Sequence, residues 1–269
     1  MKEIIKIDKL NFSYNKTKIF KDLSLKIEEA SFTAIVGSNA SGKTTLLKII
    51  TGLLPSNNKV IVEYAYVNHK KIYQTTKTFG ICFDSMIDNF LTTDVYSELT
   101  FPLENLNLNE EQIEKRVLEI ARLFKNTKML DKKINDLTIS EKKELVIMLG
   151  LLHNPKILVL DNMLSMMTLK SKKKVIEILR KLNKDQKLTI IMATTNLSDI
   201  KDSDYTIVLN KGKIVMEGKT LSVLNEDEIL NKAGLELPFM ENLSKKLQFY
   251  EVTDKIYQNM EDLVSELWK

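Results

Sequence analysis

The clearest chemistry in the sequence sits in one run, Gly37-Ser38-Asn39-Ala40-Ser41-Gly42-Lys43-Thr44-Thr45. Its spacing fits G-x-x-x-x-G-K-[ST], in which glycines let the backbone curl until successive N–H groups converge on phosphate oxygens. The run lies between a near-continuous apolar stretch, Phe32 to Val36, and a helical stretch from Lys43 to Thr51 closed by Gly52. A helix that starts there points its positive end at the same anion. Lys43 is expected to neutralise the β- and γ-phosphates and the Thr44 hydroxyl to ligate Mg²⁺. The chemistry called for is that of a nucleoside triphosphate with its magnesium ion.

Such a metal also needs a carboxylate near the loop. Asp161 ends the apolar run Ile157 to Leu160 and is expected to hold Mg²⁺ directly or through water. The plainer alternative is a surface aspartate in a turn. Asn162 follows, and the next acidic residue along the chain is Glu177, so no carboxylate close behind Asp161 can polarise an attacking water. Asn162 can hydrogen-bond a water but cannot take its proton. The histidines are His69 and His153, and neither follows a core strand downstream of Asp161. The binding half of such a site is present and its hydrolytic half is missing, unless a base from elsewhere in the chain compensates.

The elements that must position these groups are legible from hydrophobic periodicity. Residues 3–8 and 23–28 alternate apolar and polar, as half-buried strands do. Phe32 to Val36, Ile157 to Leu160 and Leu188 to Ala193 are runs of the kind buried on both faces. Tyr205 to Leu209 and Lys213 to Met216 form a closing pair around Asn210-Lys211-Gly212, and Leu169 to Leu182 is helical. Strands alternating with helices predict an α/β fold with a mainly parallel sheet flanked by helices. Residues 86–152 read as an inserted helical subdomain, with helices after Glu110 and a buried helical segment from Leu145 to Leu152. From Thr220 the chain turns helical again, and Ile256, Tyr257, Met260, Leu263, Val264, Leu267 and Trp268 fall on one helical face.

Composition narrows the class. With 269 residues and 43% hydrophobic content the chain can bury a substantial core. No stretch reaches the roughly 18 consecutive apolar residues of a membrane span, and the start of the chain lacks an apolar signal region. A cytosolic location is expected, with any membrane association running through a partner. The single cysteine, Cys82, excludes an internal disulfide and a cysteine-based metal cluster. Of the 40 basic residues only Arg116, Arg122 and Arg180 are arginine, and the lysines are dispersed, which argues against a nucleic-acid reader.

With these anchors placed, the chain resembles an ABC transporter ATP-binding subunit over most of its length. The resemblance implies a P-loop NTPase core and assigns Tyr14, in Asn11-Phe12-Ser13-Tyr14, to stacking on adenine. Packing on an edge strand is the other reading of Tyr14. Several family positions depart from the pattern. The Q-loop glutamine is Asp84, which could also reach the metal; the catalytic glutamate is Asn162; the D-loop aspartate is Thr168; the switch histidine is Thr195. The LSGGQ signature becomes Leu137-Thr138-Ile139-Ser140-Glu141.

The segments Phe101 to Leu108 and Gly234 to Ser244 further resemble ATPase subunits of energy-coupling factor (ECF) importers. That likeness implies pairing with a second ABC ATPase subunit, commonly a different one, beneath a transmembrane scaffold subunit and a substrate-binding membrane subunit. It also implies uptake of a vitamin or metal ion at the cytoplasmic face of the membrane. On this reading residues 1–219 form the nucleotide-binding domain, and residues 220–269 a helical extension that helps dimerise the ATPases. A soluble ABC-type regulator or assembly protein is the competing reading, and a scaffold that has lost nucleotide binding is a third.

Overall fold

The computed structural model describes residues 2–57, 59–63, 65–66, 78–106, 108–237, 239–255, 257 and 260–268. His69, Asn107, Pro238 and Ile256, which entered the reading above, lie outside the described residues.

The chain opens with a long antiparallel hairpin, β1 (Glu3–Tyr14) and β2 (Thr17–Glu28), followed by the buried strand β3 (Phe32–Val36) and helix α1 (Lys43–Ile50). Short strands β4 (Val60–Val62) and β5 (Ala65–Tyr66) precede β6 (Phe79–Phe83). Helices α2 (Val95–Glu104), α3 (Glu110–Leu123) and α4 (Ile139–Leu151) then lead to β7 (Ile157–Asp161). After α5 (Leu169–Gln186) come β8 (Thr189–Thr194), β9 (Tyr205–Asn210) and β10 (Lys213–Lys219). The described chain ends in α6 (Thr220–Leu224), α7 (Asp227–Lys232), α8 (Phe239–Phe249) and α9 (Met260–Leu267).

Two sheets result. The larger runs β10-β9-β3-β8-β7-β6, parallel throughout except for β10, which pairs antiparallel with β9. Every residue of β3, β7 and β8 is buried, as the apolar runs predicted for strands covered on both faces. The smaller sheet, β2-β1-β4-β5, is wholly antiparallel. Sequence periodicity gave no hint of β4 and β5, which are too short to show a period.

Helix α2 is a second departure, because a helix begins well before Glu110. Asp94 caps it by accepting the Ser97 N–H at 2.8 Å, and Pro102 lies within its last turn, where the ring removes one i→i−4 hydrogen bond and weakens the end of the helix. Helix α4 sits close on β6. A Cβ added at Gly80 would meet the Gly150 carbonyl oxygen at 2.2 Å, and one at Gly150 would meet Cys82 Sγ at 2.5 Å. This glycine contact sets the distance between α4 and the sheet. The apolar face expected in the tail is split. Tyr257 and Leu263 are buried, whereas Met260, Val264, Leu267 and Trp268 remain exposed. No helix among the described residues is long and apolar enough to cross a membrane.

Candidate functional site

The loop from Gly37 to Gly42 turns between the end of β3 and the start of α1. Gly37 leaves no room for a side chain, since a Cβ would lie 2.2 Å from the Leu209 carbonyl oxygen and 2.5 Å from Ser41 Oγ. Gly42 caps α1 at φ 107, a conformation that L side chains rarely adopt, and Ala40 also lies at positive φ, 60. The curl therefore depends on glycine at both ends of the loop. The Lys43 ammonium folds back over the loop and donates to the carbonyl oxygens of Gly37 at 2.7 Å and Ser38 at 2.9 Å. A phosphate entering the curl would compete for these donors. The turn after α7 leans on the same loop, because a Cβ at Gly234 would stand 3.4 Å from Ser38 Cβ.

Asp161 ends β7 facing α1 and accepts the Thr44 hydroxyl at 2.6 Å. Burial pushes the Asp161 carboxyl up and the Lys43 ammonium down from their ordinary values, and the attraction between the two opposes both shifts. These residues surround a cavity of about 300 Å³ lined by Asn39 to Thr45, Asp161, Asn162, Thr195 and also Ile19. Ile19, on β2, carried no signal in the sequence. Thr44 and Asp161 offer two hard oxygen ligands that already converge, a donor set that suits Mg²⁺. The curled, glycine-dependent loop beside them suits a polyphosphate.

Tyr14 ends β1 and is 43% exposed, with its ring edge-on to Phe12 at 5.0 Å between centroids. It is not among the residues lining the phosphate cavity. Thr195 is exposed at the cavity rim. Asn162 holds φ 55, and its side-chain amide donates to Asp84 Oδ2 at 3.4 Å. Here the structure corrects the sequence reading. A carboxylate does stand beside Asn162, contributed by Asp84 from the next strand end, because Phe83 pairs with Asp161 in the parallel register of β6 and β7. That carboxylate is engaged: Lys143 Nζ approaches Asp84 Oδ1 at 2.7 Å, off the line of a hydrogen bond. Among the described residues no three His, Cys, Asp or Glu side chains cluster as a metal site, so Asp84 and Asp161 do not form part of a larger one.

Leu137 to Glu141, the segment expected to stand for the signature, form an ordinary capped helix start. Thr138 caps α4 and accepts the Glu141 N–H at 3.3 Å, while Glu141 Oε2 accepts from both the Thr138 N–H and its hydroxyl at 3.0 Å. Leu137 is buried, and Ile139 is 43% exposed. Ser140 is buried and accepts the Thr168 N–H at 3.1 Å. Thr168 in turn caps α5 through the Ser171 N–H at 3.3 Å.

A family profile described as "ABC transporter" matches residues 20–165. The chain belongs to the ABC transporter family. Within it, this ABC chain is similar along its length to ATP-binding proteins of energy-coupling factor transporters. It is 30% identical over 272 residues to EcfA of Pediococcus pentosaceus, covering 100% of this chain and 97% of that protein. It is 33% identical over 248 residues to EcfA1 of Ligilactobacillus salivarius, covering 91% and 88%. Among solved structures, cbiO1 from Clostridium perfringens, part of the ABC transporter complex cbiONQ, matches with a TM-score of 0.79 at 26% identity, over 91% of this chain and 100% of that one. A dimeric ATP-binding cassette bound to ADP and Pi matches with a TM-score of 0.73 at 23% identity, which speaks for a shared ABC ATPase fold.

Proposed function

We propose that this chain is the nucleotide-binding but hydrolytically silent ATPase subunit of an ECF-type importer. It would bind Mg-ATP at the Gly37 to Thr45 loop, in a dimer with a second ATPase subunit. Through transmembrane scaffold and substrate-binding subunits it would serve vitamin or metal-ion uptake at the cytoplasmic membrane face. Residues 1–219 would form the nucleotide-binding domain and residues 220–269 the dimerising extension. The observation that carries the reading is the 2.6 Å contact of Thr44 with Asp161 beside an intact phosphate curl, next to which stands Asn162 rather than a free carboxylate.

Each residue has a role that follows from its chemistry. Lys43 exchanges two backbone carbonyls for phosphate oxygens, a trade favoured by their greater charge. Thr44 and Asp161 would hold Mg²⁺, which when bound neutralises charge on the β- and γ-phosphates. Asn162 and Thr195 can orient a water at the cavity, but neither accepts its proton. Among the described residues Asp84 is the candidate base beside Asn162, and its ion pair with Lys143 opposes that use.

Calorimetry with Mg-ATP, run beside a turnover assay on the pure chain, tests the reading. Binding without measurable turnover is expected, and turnover in the ~1–10³ s⁻¹ range usual for enzymes would overturn it. Lys43→Ala should weaken binding by about ten- to a hundredfold, the effect of losing one hydrogen bond to a charged group.

A further inference from the structure

Lys143 is a wholly buried charge close to the nucleotide cavity, with a side chain 0% exposed. It rises from α4, the helix that begins with the signature segment. Its ammonium lies 2.7 Å from Asp84 Oδ1, 3.1 Å from the Asn162 carbonyl oxygen and 2.8 Å from Ser165 Oγ. Phe83 and Asp161 are paired across β6 and β7, so Asp84 and Asn162 leave adjacent strand ends, and one ammonium holds both.

Burying an ammonium is costly unless it is paired and hydrogen-bonded, and here all three of its protons have an oxygen close by. Stability alone does not explain the pair, because apolar residues of similar volume commonly serve as well. The explanation lies in where Asp84 stands. Its Oδ2 accepts from Asn162, the residue directly after Asp161 at the end of β7. Left unbalanced, that carboxylate would face a site built for a polyphosphate.

We propose that Lys143 is a positioning residue that cancels the charge of Asp84, so that a carboxylate can occupy this strand end without repelling the nucleotide held by the neighbouring loop. The proposal rests on the reading that this chain binds ATP. It predicts opposite effects for the two partners. Lys143→Met leaves a bare carboxylate, which repels metal-free ATP and attracts Mg²⁺. Metal-free ATP should then bind about three- to tenfold more weakly, with a smaller loss for Mg-ATP. Asp84→Asn leaves a bare ammonium, so metal-free ATP should bind more tightly by a similar factor and the preference for Mg-ATP should shrink. The double variant Asp84→Asn/Lys143→Met is neutral again and should return to near wild-type preference.

The experiment is calorimetric titration of the full chain and the three variants with ATP in EDTA and with Mg-ATP. Low salt is needed because Asp84 is 40% exposed and screening weakens its reach. Circular dichroism reports whether each variant folds. Opposed shifts for the single variants, cancelled in the double, establish the proposal. If both singles weaken both ligands alike, the pair is structural only; if neither moves the preference, its charge does not reach the site, and either result overturns the proposal. Should Lys143→Met fail to fold, Asp84→Asn and the double variant decide by the same signs. A wild-type chain that binds neither ligand overturns the nucleotide reading and this proposal with it, whereas a wild type that binds normally with unmoved variants overturns this proposal alone.

Discussion

Asn162 shows how much a single position can carry. Its φ of 55 lies in the left-handed region, which asparagine tolerates better than residues with longer side chains. Its backbone N–H donates to the Ala193 carbonyl oxygen at 2.9 Å and its carbonyl oxygen accepts from Lys143, so the backbone there is held from both sides. Asn162→Glu would restore a carboxylate to the end of β7, but at a backbone angle that costs glutamate about 1 kcal/mol, and next to the carboxylate of Asp84. Thr195 would still offer no imidazole. The single substitution is therefore expected to raise the ATPase activity of the assembled complex less than about tenfold, a gain worth under ~1.4 kcal/mol of barrier. A rise of several hundredfold in a steady-state phosphate-release assay would show that the remaining departures are tolerated. The phosphate loop was legible in the sequence because its chemistry is local, nine adjacent residues with fixed spacing. The Asp84–Lys143–Asn162 cluster was not, because its members lie far apart in the chain and only the register of β6 against β7 and the seating of α4 bring them together.

Seating of α4 is a matter for whole elements. The helix approaches β6 through Gly80 and Gly150, and the Gly150 position faces Cys82 Sγ. Burial pushes the Cys82 thiol well above its ordinary value, so this sulfur acts as a small apolar packing group and not as a nucleophile. Gly150→Val should drive the helix outward and cost about 1–3 kcal/mol, the usual range for overpacking. Urea denaturation would register this as a lower midpoint with an unchanged slope. In a Cys82→Ala background the loss should be smaller, since the closest obstructing atom is gone; an equal loss in both backgrounds would refute the contact as its cause. The sequence revealed the three buried strands at the centre of the sheet because unbroken apolar runs leave little ambiguity. It under-read the first hairpin, which extends to Tyr14 and back from Thr17. Lys9 at φ 46 accompanies a register shift between Ile7 and Leu10, and Asp22 at φ 52 one between Leu10 and Phe12; such irregularities destroy the alternation by which strands are recognised.

At the scale of the whole molecule, large aromatic side chains near the C-terminal helices lie on the surface. Phe239, Phe249, Tyr250 and Trp268 of the C-terminal extension are each more than two-thirds exposed. On the proposed reading, a head-to-tail ABC dimer would set Leu137 to Glu141 over ATP held by the partner's loop. The Thr138 hydroxyl is tied to Glu141, Ser140 is turned inward to Thr168, and Ile139 is left 43% exposed where the family has a bare glycine. What remains to offer is the start of α4, with its free N–H groups and positive end. The partner's nucleotide would thus be covered by a bulkier, less polar lid, yet it would face the partner's own hydrolytic residues. Whatever hydrolysis the complex performs is expected to occur there. Replacing by glutamine the glutamate that follows the partner's counterpart of Asp161, with this chain untouched, should abolish nearly all ATPase activity of the purified complex. The complementary change in this chain, Asn162→Ala, should leave most of that activity in place, because Asn162 takes no proton. If activity instead survives the partner's substitution and falls with Asp84→Asn, the hydrolytic carboxylate is the one at the end of β6, and this chain is the catalytic subunit after all.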